Sequence, residues 1–190
     1  MGDMTKNFSF YEFRPKNTKR TWQPSSEYRK MLLKELVTNL QVVRSKMPKG
    51  AYMKVTSGVR TKADYDRLIK QGYHPSKTSD HNFGSAIPLS PSSAKAKKYG
   101  LVYIFSVGAA DIVPVGMSVW DLFKLAVQLT KAGRCRFGQV IYEKSGEKEW
   151  VHFGVDPVAI FSPEVVKFMS RTKFMKSLDG GKSYSVVKKV

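Results

Sequence analysis

Ser79-Asp80-His81-Asn82-Phe83-Gly84-Ser85-Ala86, taken with Glu149-Trp150-Val151-His152 further along, is the part of the chain around which the fold must be built. Two of the three histidines lie in these segments, and they read as halves of one zinc site. A hydrolytic zinc keeps three protein ligands and leaves a fourth position for water, whose pKa falls to about 7. Two histidines are one ligand short, so a carboxylate must complete the set, and a separate carboxylate must take the water's proton. Glu149 suits the second role because it stands three positions before His152. Residues three apart on a regular strand point to opposite faces. Glu149 is therefore expected in a loop or bulge just ahead of the strand that carries His152; otherwise it is one surface charge among Lys144, Glu147 and Lys148.

Working outward, Ser57-Gly58-Val59-Arg60, the run Ser79-x-His81-x-x-Gly84-x-Ala86 and Glu149-Trp150-Val151-His152 follow one another in an ordered set. In order and rough spacing this set resembles the zinc D-alanyl-D-alanine carboxypeptidase family of peptidoglycan peptidases. Asn7-Phe8-Ser9-Phe10-Tyr11-Glu12-Phe13 is similar to the opening of its small phage-type members. Each motif alone is weak, and their ordered co-occurrence carries the resemblance.

The resemblance implies zinc held by His81 and His152, Glu149 as general base, and Arg60 as stabiliser of the transition-state oxyanion. A guanidinium suits that last role, with paired donors and a charge that cannot be lost. Ser79 is expected to shape the loop presenting His81 and to face substrate, and Trp150 either lines the substrate cleft or covers the sheet. One departure is plain. The family's third ligand is an aspartate seven positions after the first histidine, where this chain has Pro88.

Residues 87–106 read as an insertion with a turn-forming Pro88-x-x-Pro91-Ser92-Ser93 stretch and a basic Lys95-x-Lys97-Lys98 run. After it, Gly108-Ala109-Ala110-Asp111-Ile112 repeats the small-residue ending that the family uses before its aspartate. A lone carboxylate in the apolar run from Leu101 to Trp120 is costly to bury unless it meets a cation or strong donors. Asp111 is thus the expected third ligand, the alternative being a cap on a turn at the strand end.

The chain has 190 residues and is 42% hydrophobic, enough for one domain with a proper core. Residues 1–170 are expected to form a single zinc peptidase-like domain, and 171–190, rich in Lys, Ser and Gly, a basic C-terminal tail with Tyr184 to Val187 as a candidate edge strand. With 33 basic and 15 acidic side chains the net charge is +18, which favours salt-sensitive contact with an anionic polymer such as wall teichoic acid or nucleic acid. The single Cys135 excludes an internal disulfide framework, and with no histidine near it in sequence it reads as a packed thiol rather than a reactive one. His74 reads as a solvated loop histidine. The Leu101 to Trp120 run carries Asp111, Pro114 and two glycines, so a buried strand and turn are expected there and no membrane span.

The first 24 residues lack periodicity, with Phe8, Phe10, Phe13 and Trp22 pinning an extended segment to the body. A helix is predicted over 27–46, ended by Pro48 and Gly50, then a strand over 51–56 and a short helix over 61–70 with Tyr65, Leu68 and Ile69 inward. Ser118-x-x-Asp121 is a capping box for a helix that Gly133 closes. Strands are predicted over 137–143 and 150–155, joined by a charged turn, and Ser162-Pro163-Glu164 starts a last helix. The fold class is α+β, a small central antiparallel sheet flanked by helices with the zinc site on the sheet.

The expected function is a zinc metallopeptidase hydrolysing the peptide stems of bacterial peptidoglycan, as a D-Ala-D-Ala carboxypeptidase or stem endopeptidase. The start, Met1 to Asn7, has no apolar secretory run, and Lys6 stands where a myristoylation motif needs Ser or Thr. Synthesis in the cytoplasm of a bacterial host is expected. Phage-type lysis or entry, acting at the wall or carried in a virion, follows from the resemblance, and a monomer is expected. The alternative is an inactive relative that binds anionic wall polymer or nucleic acid through its basic surface.

Overall fold

The computed structural model describes residues 3–16, 18–19, 21–75, 79–83, 86–88, 91–92, 97, 103–156 and 173–188. The expected helix at Ser162, the Lys95 and Lys98 positions and Gly84 lie outside the described residues.

Leu33, Leu36, Val37, Leu40 and Val43 recur at helical spacing, and they form the fully buried stripe of α1, Glu27–Ser45. Ser26 caps its start, its hydroxyl accepting from the Arg29 amide. The second long helix, α3 (Val119–Lys131), buries Leu122, Phe123, Ala126 and Val127 and is capped by the Ser118 hydroxyl, which accepts from the Asp121 amide. Gly133, at φ +67°, ends it in the left-handed region as expected. Between them, α2 (Lys62–Lys70) starts with a full capping box from Thr61 and Asp64. On α2 the prediction was partly wrong: Ile69 is 47% exposed, and the buried position is Asp64. Nine residues give too few turns for the apolar period to fix a face.

Among the described residues the strands are β1 (Asp3–Thr5), β2 (Phe8–Ser9), β3 (Tyr52–Ser57), β4 (Ala86–Pro88), β5 (Tyr103–Phe105), β6 (Ala109–Val115), β7 (Phe137–Ser145), β8 (Lys148–Val155), β9 (Lys173–Ser177) and β10 (Ser185–Val186). Six of them form one sheet in the order β10-β9-β7-β8-β6-β3. The α+β class holds, and the sheet is mostly antiparallel, the exception being the parallel pair β7 and β9.

Opposed residues in an antiparallel ladder share a face, so the register sorts the side chains. Ala110 opposite Phe153, Ile112 opposite Val151 and Met53 opposite Pro114 turn one face into the core, which α1 and α3 cover. Asp111 opposite His152, and His152 opposite Ile141, belong to the other face. The apolar core therefore fixes the register, and a one-residue slip would turn Asp111 and His152 into it.

Within the stretch expected as a basic tail, Lys173–Ser177 and Ser185–Val186 are paired strands. Lys173–Ser177 pairs with the central strand β7, and β10 pairs with β9 at the edge. The turn between them is knotted around Asp179, whose carboxylate accepts from the Ser177 hydroxyl, the Lys182 and Ser183 amides and the Ser183 hydroxyl. Lysine-rich composition hid a strand whose stability comes from its neighbour rather than from its own pattern. A chain lacking residues 173–190 is expected to melt at least about 5 °C lower than the full chain, because β7 would be left with an unpaired edge. An unchanged thermal midpoint would restore the tail.

The insertion is a ribbon: Ala86 pairs with Phe105 and Pro88 with Tyr103, so β4 and β5 close the loop-out at its base. Pro88 is a ladder residue of that ribbon. The N-terminal aromatics behave as predicted, with Phe8 and Phe13 buried and Phe10 and Trp22 packed against the core.

Candidate metal centre

The centre is assembled from a 3-10 turn at Asp80–Asn82 and two adjacent strands of the sheet. Ser79 caps the turn, its hydroxyl accepting from the His81 amide at 3.4 Å. Asp111 sits midway along β6, between β3 and β8, and its Cα partner on β8 is His152. His81 Nε2 lies 3.1 Å from Asp111 Oδ1 and 3.2 Å from His152 Nδ1, and His152 Nδ1 lies 3.0 Å from Asp111 Oδ1. All three residues are buried, and these ligand atoms could together hold a metal ion.

Two features test whether they suit one. Four ligands placed tetrahedrally at about 2.0–2.1 Å from zinc lie about 3.3 Å apart, close to the separations seen. The second feature is the tautomer of His81. Its Nδ1 is 2.7 Å from the Gly58 carbonyl oxygen, which can only accept, so Nδ1 carries the proton and Nε2 of the neutral ring presents a lone pair. A lone pair and a carboxylate oxygen 3.1 Å apart repel unless a proton or a cation lies among them. The donor set fits a borderline-soft divalent ion such as zinc.

No protein-family model, curated protein or solved structure matches the chain. The site is therefore read from its own geometry.

Electrostatics supports the same centre. Burial pushes Asp111 up, but the neighbouring His81, the Arg60 charge and the hydrogen bond with His152 outweigh it and hold the carboxyl well below its usual range. Burial and the Arg60 charge hold His81 down, so its ring stays neutral as a ligand must be. Burial also opposes charge on His152, yet the Asp111 hydrogen bond and charge, with Glu143 and Asp80 behind them, raise it.

Gly58 links the N-terminal segment to this chemistry. The Phe13 carbonyl accepts from the Val59 amide at 2.8 Å, and a Cβ on Gly58 would lie 2.4 Å from that same oxygen. Only glycine allows the approach. Gly58→Ala is expected to destabilise the chain by about 1–3 kcal/mol and to weaken metal binding through the displaced His81 contact. Urea denaturation and metal titration check it, and wild-type values in both would remove Gly58 from the site.

Arg60 is brought to the centre, in a different posture from the one expected. Its Nη2 is 2.5 Å from Asp111 Oδ2 and its Nε donates to the Ser57 hydroxyl at 3.0 Å, so it pairs with the carboxylate opposite the ligand oxygen. Its amide also donates to the His81 carbonyl at 2.8 Å. His74 is exposed in its loop, as expected. Cys135 is buried, and burial raises its thiol pKa, which disfavours the thiolate.

Glu149 is not brought to the centre. Strand β8 begins at Lys148, earlier than predicted, because the hairpin turns tightly at Gly146, φ +58°. Glu149 is thus a regular ladder residue opposite Lys144, on the face opposite His152, and its carboxylate pairs with the Lys144 ammonium at 2.8 Å. Its charge is 31% exposed and committed to that pair.

A carboxylate on the His152 face of the sheet is Glu143. It lies on β7 opposite Trp150, on the His152 face, and is buried. Trp150 Nε1 donates to its Oε2 at 2.5 Å and the Tyr184 hydroxyl to its Oε1 at 2.9 Å, fixing both oxygens. Burial raises its pKa, opposed by the nearby His152 and reinforced by the negative Asp111. The sequence offered one signal for Glu143. It stands two residues after Ile141 on a strand predicted to pair with the one carrying His152, and with Ile141 opposite His152 period two places Glu143 on that same face. Trp150 is accordingly a clamp on Glu143, and Ser79 a cap for the His81 turn.

Proposed function

We propose that the chain is a zinc-dependent peptidase acting on the peptide stems of bacterial peptidoglycan, at D-Ala-D-Ala or another stem amide. The observation that carries it is the convergence of three buried ligand atoms beside a buried, clamped carboxylate. His81, Asp111 and His152 would hold the ion, with Asp111 in the role that Pro88 cannot fill. Zinc there would acidify a water molecule and polarise the scissile carbonyl.

The chain's own groups supply the rest. Glu143 takes the proton of the attacking water and returns it to the departing amine, and the raised pKa that burial gives it suits a base that must also act as an acid. Trp150 and Tyr184 hold its oxygens while each keeps a lone pair for the proton. Arg60 keeps Asp111 ionised and places a permanent positive charge where the oxyanion develops.

The ordered likeness of Ser57 to Arg60, Ser79 to Ala86 and Glu149 to His152 to the D-alanyl-D-alanine carboxypeptidase family supports the wall as substrate, and the +18 charge supports attraction to its anionic polymers. Among the described residues no helix is long and apolar enough to cross a membrane. Digestion of purified sacculi with the zinc-loaded protein should release new amino termini at one stem bond. Intact sacculi at saturating protein would remove the cell-wall substrate.

A further inference from the structure

A second site adjoins the metal centre on the far side of Arg60. A cavity of about 100 Å³ is lined by Arg14, Lys16, Arg60 and Arg67 against two acids, Glu12 and Asp64. Both acids are spent on local caps: Glu12 accepts from the Ser9 amide at 2.8 Å, and Asp64 from the Thr61 amide at 3.1 Å and hydroxyl at 2.9 Å. Arg67 donates from Nη1 to the Gln71 side chain at 2.9 Å, and its Nη2 is 3.6 Å from Asp64, a loose pair that leaves this nitrogen beyond hydrogen-bond reach of the carboxylate. A guanidinium held only loosely by its own carboxylate keeps donors for an oxyanion, which it can bind in forked geometry.

Two of the other cations, Arg14 and Arg60, are held in place. Arg14 lies 3.8 Å over the Tyr11 ring, with Nη1 on the Tyr11 carbonyl at 2.8 Å and Nε on the Thr18 carbonyl at 3.2 Å. Arg60 is fixed by Asp111 and Ser57. Cations already ordered lose little entropy when they engage an anion.

We propose that this cavity is an oxyanion-binding site, taking a carboxylate or phosphate group between Arg67, Arg14 and Lys16, with Arg60 as the wall it shares with the metal centre. The inference does not depend on peptidase activity, since binding is measured without turnover.

The test is calorimetric titration of the full chain with inorganic phosphate and, separately, with acetate, at constant low ionic strength. Saturation near one anion per chain is expected, weakened about tenfold or more by Lys16→Gln and by Arg67→Gln, and unchanged by Lys34→Gln on α1, which lines no part of the cavity. Lys16 is exposed, so its replacement leaves the fold intact. Tighter phosphate marks a phosphate-bearing ligand, tighter acetate a carboxylate. No saturable binding of either anion, equal affinity in the two cavity variants, or an equal loss with Lys34→Gln overturns the assignment.

Discussion

Glu143→Gln is expected to lower turnover about a hundred- to ten-thousand-fold while retaining the metal, and Glu149→Gln to leave turnover within a factor of about two. Glutamine keeps the size of the side chain and can still accept from Trp150 or Tyr184, so the fold survives and only proton transfer is lost. Glu149 faces away from His152 and pairs with Lys144 and Tyr142, the Lys144 pair being partly exposed and worth little. Steady-state rates on a stem peptide, with metal content measured on the same samples, separate the two carboxylates. Full activity in Glu143→Gln with loss in Glu149→Gln would return the base to the hairpin and require β8 to bulge.

Asp111→Ala is expected to have the largest combined effect. It removes one ligand atom and leaves the Arg60 guanidinium, 15% exposed, without its carboxylate. Breaking a buried pair by deleting one partner costs about 3–5 kcal/mol, or about 10 °C in thermal midpoint for a chain of this size. Metal should be lost together with that stability, whereas His152→Ala should lose metal with a smaller drop, since no charge is stranded. Zinc analysis and thermal melts of the two variants check both. A stable, zinc-loaded Asp111→Ala protein would mean that Asp111 is structural only.

Much of the site was legible because its chemistry is local in sequence. His81 sits in a run whose Ser79 caps the turn that presents it, and Asp111 betrayed itself as a lone acid in an apolar strand. The gap left by Pro88 was bridged because the insertion closes on itself as a ribbon, returning Phe105 beside Ala86. The base was harder to read. Choosing between Glu143 and Glu149 required knowing where β8 starts: because the strand is already regular at Lys148, Glu149, three residues before His152, takes the opposite face, and Glu143 is left on the face of the histidine. Period two decides the face only after the boundary is fixed. The edge strand β10 falls within the stretch Tyr184 to Val187 expected for it, but β9 was hidden for a different reason: Lys173–Ser177 is stabilised by pairing with β7, and nothing in its own composition signals that partner. Tyr184, carried in by that segment, was missed as a site residue with it.

Crystals of the zinc-loaded protein measured at the zinc absorption edge test the centre most directly. One anomalous peak is predicted at about 2.0–2.2 Å from His81 Nε2, Asp111 Oδ1 and His152 Nδ1. No peak there at saturating zinc, or one bonded to other side chains, would contradict it.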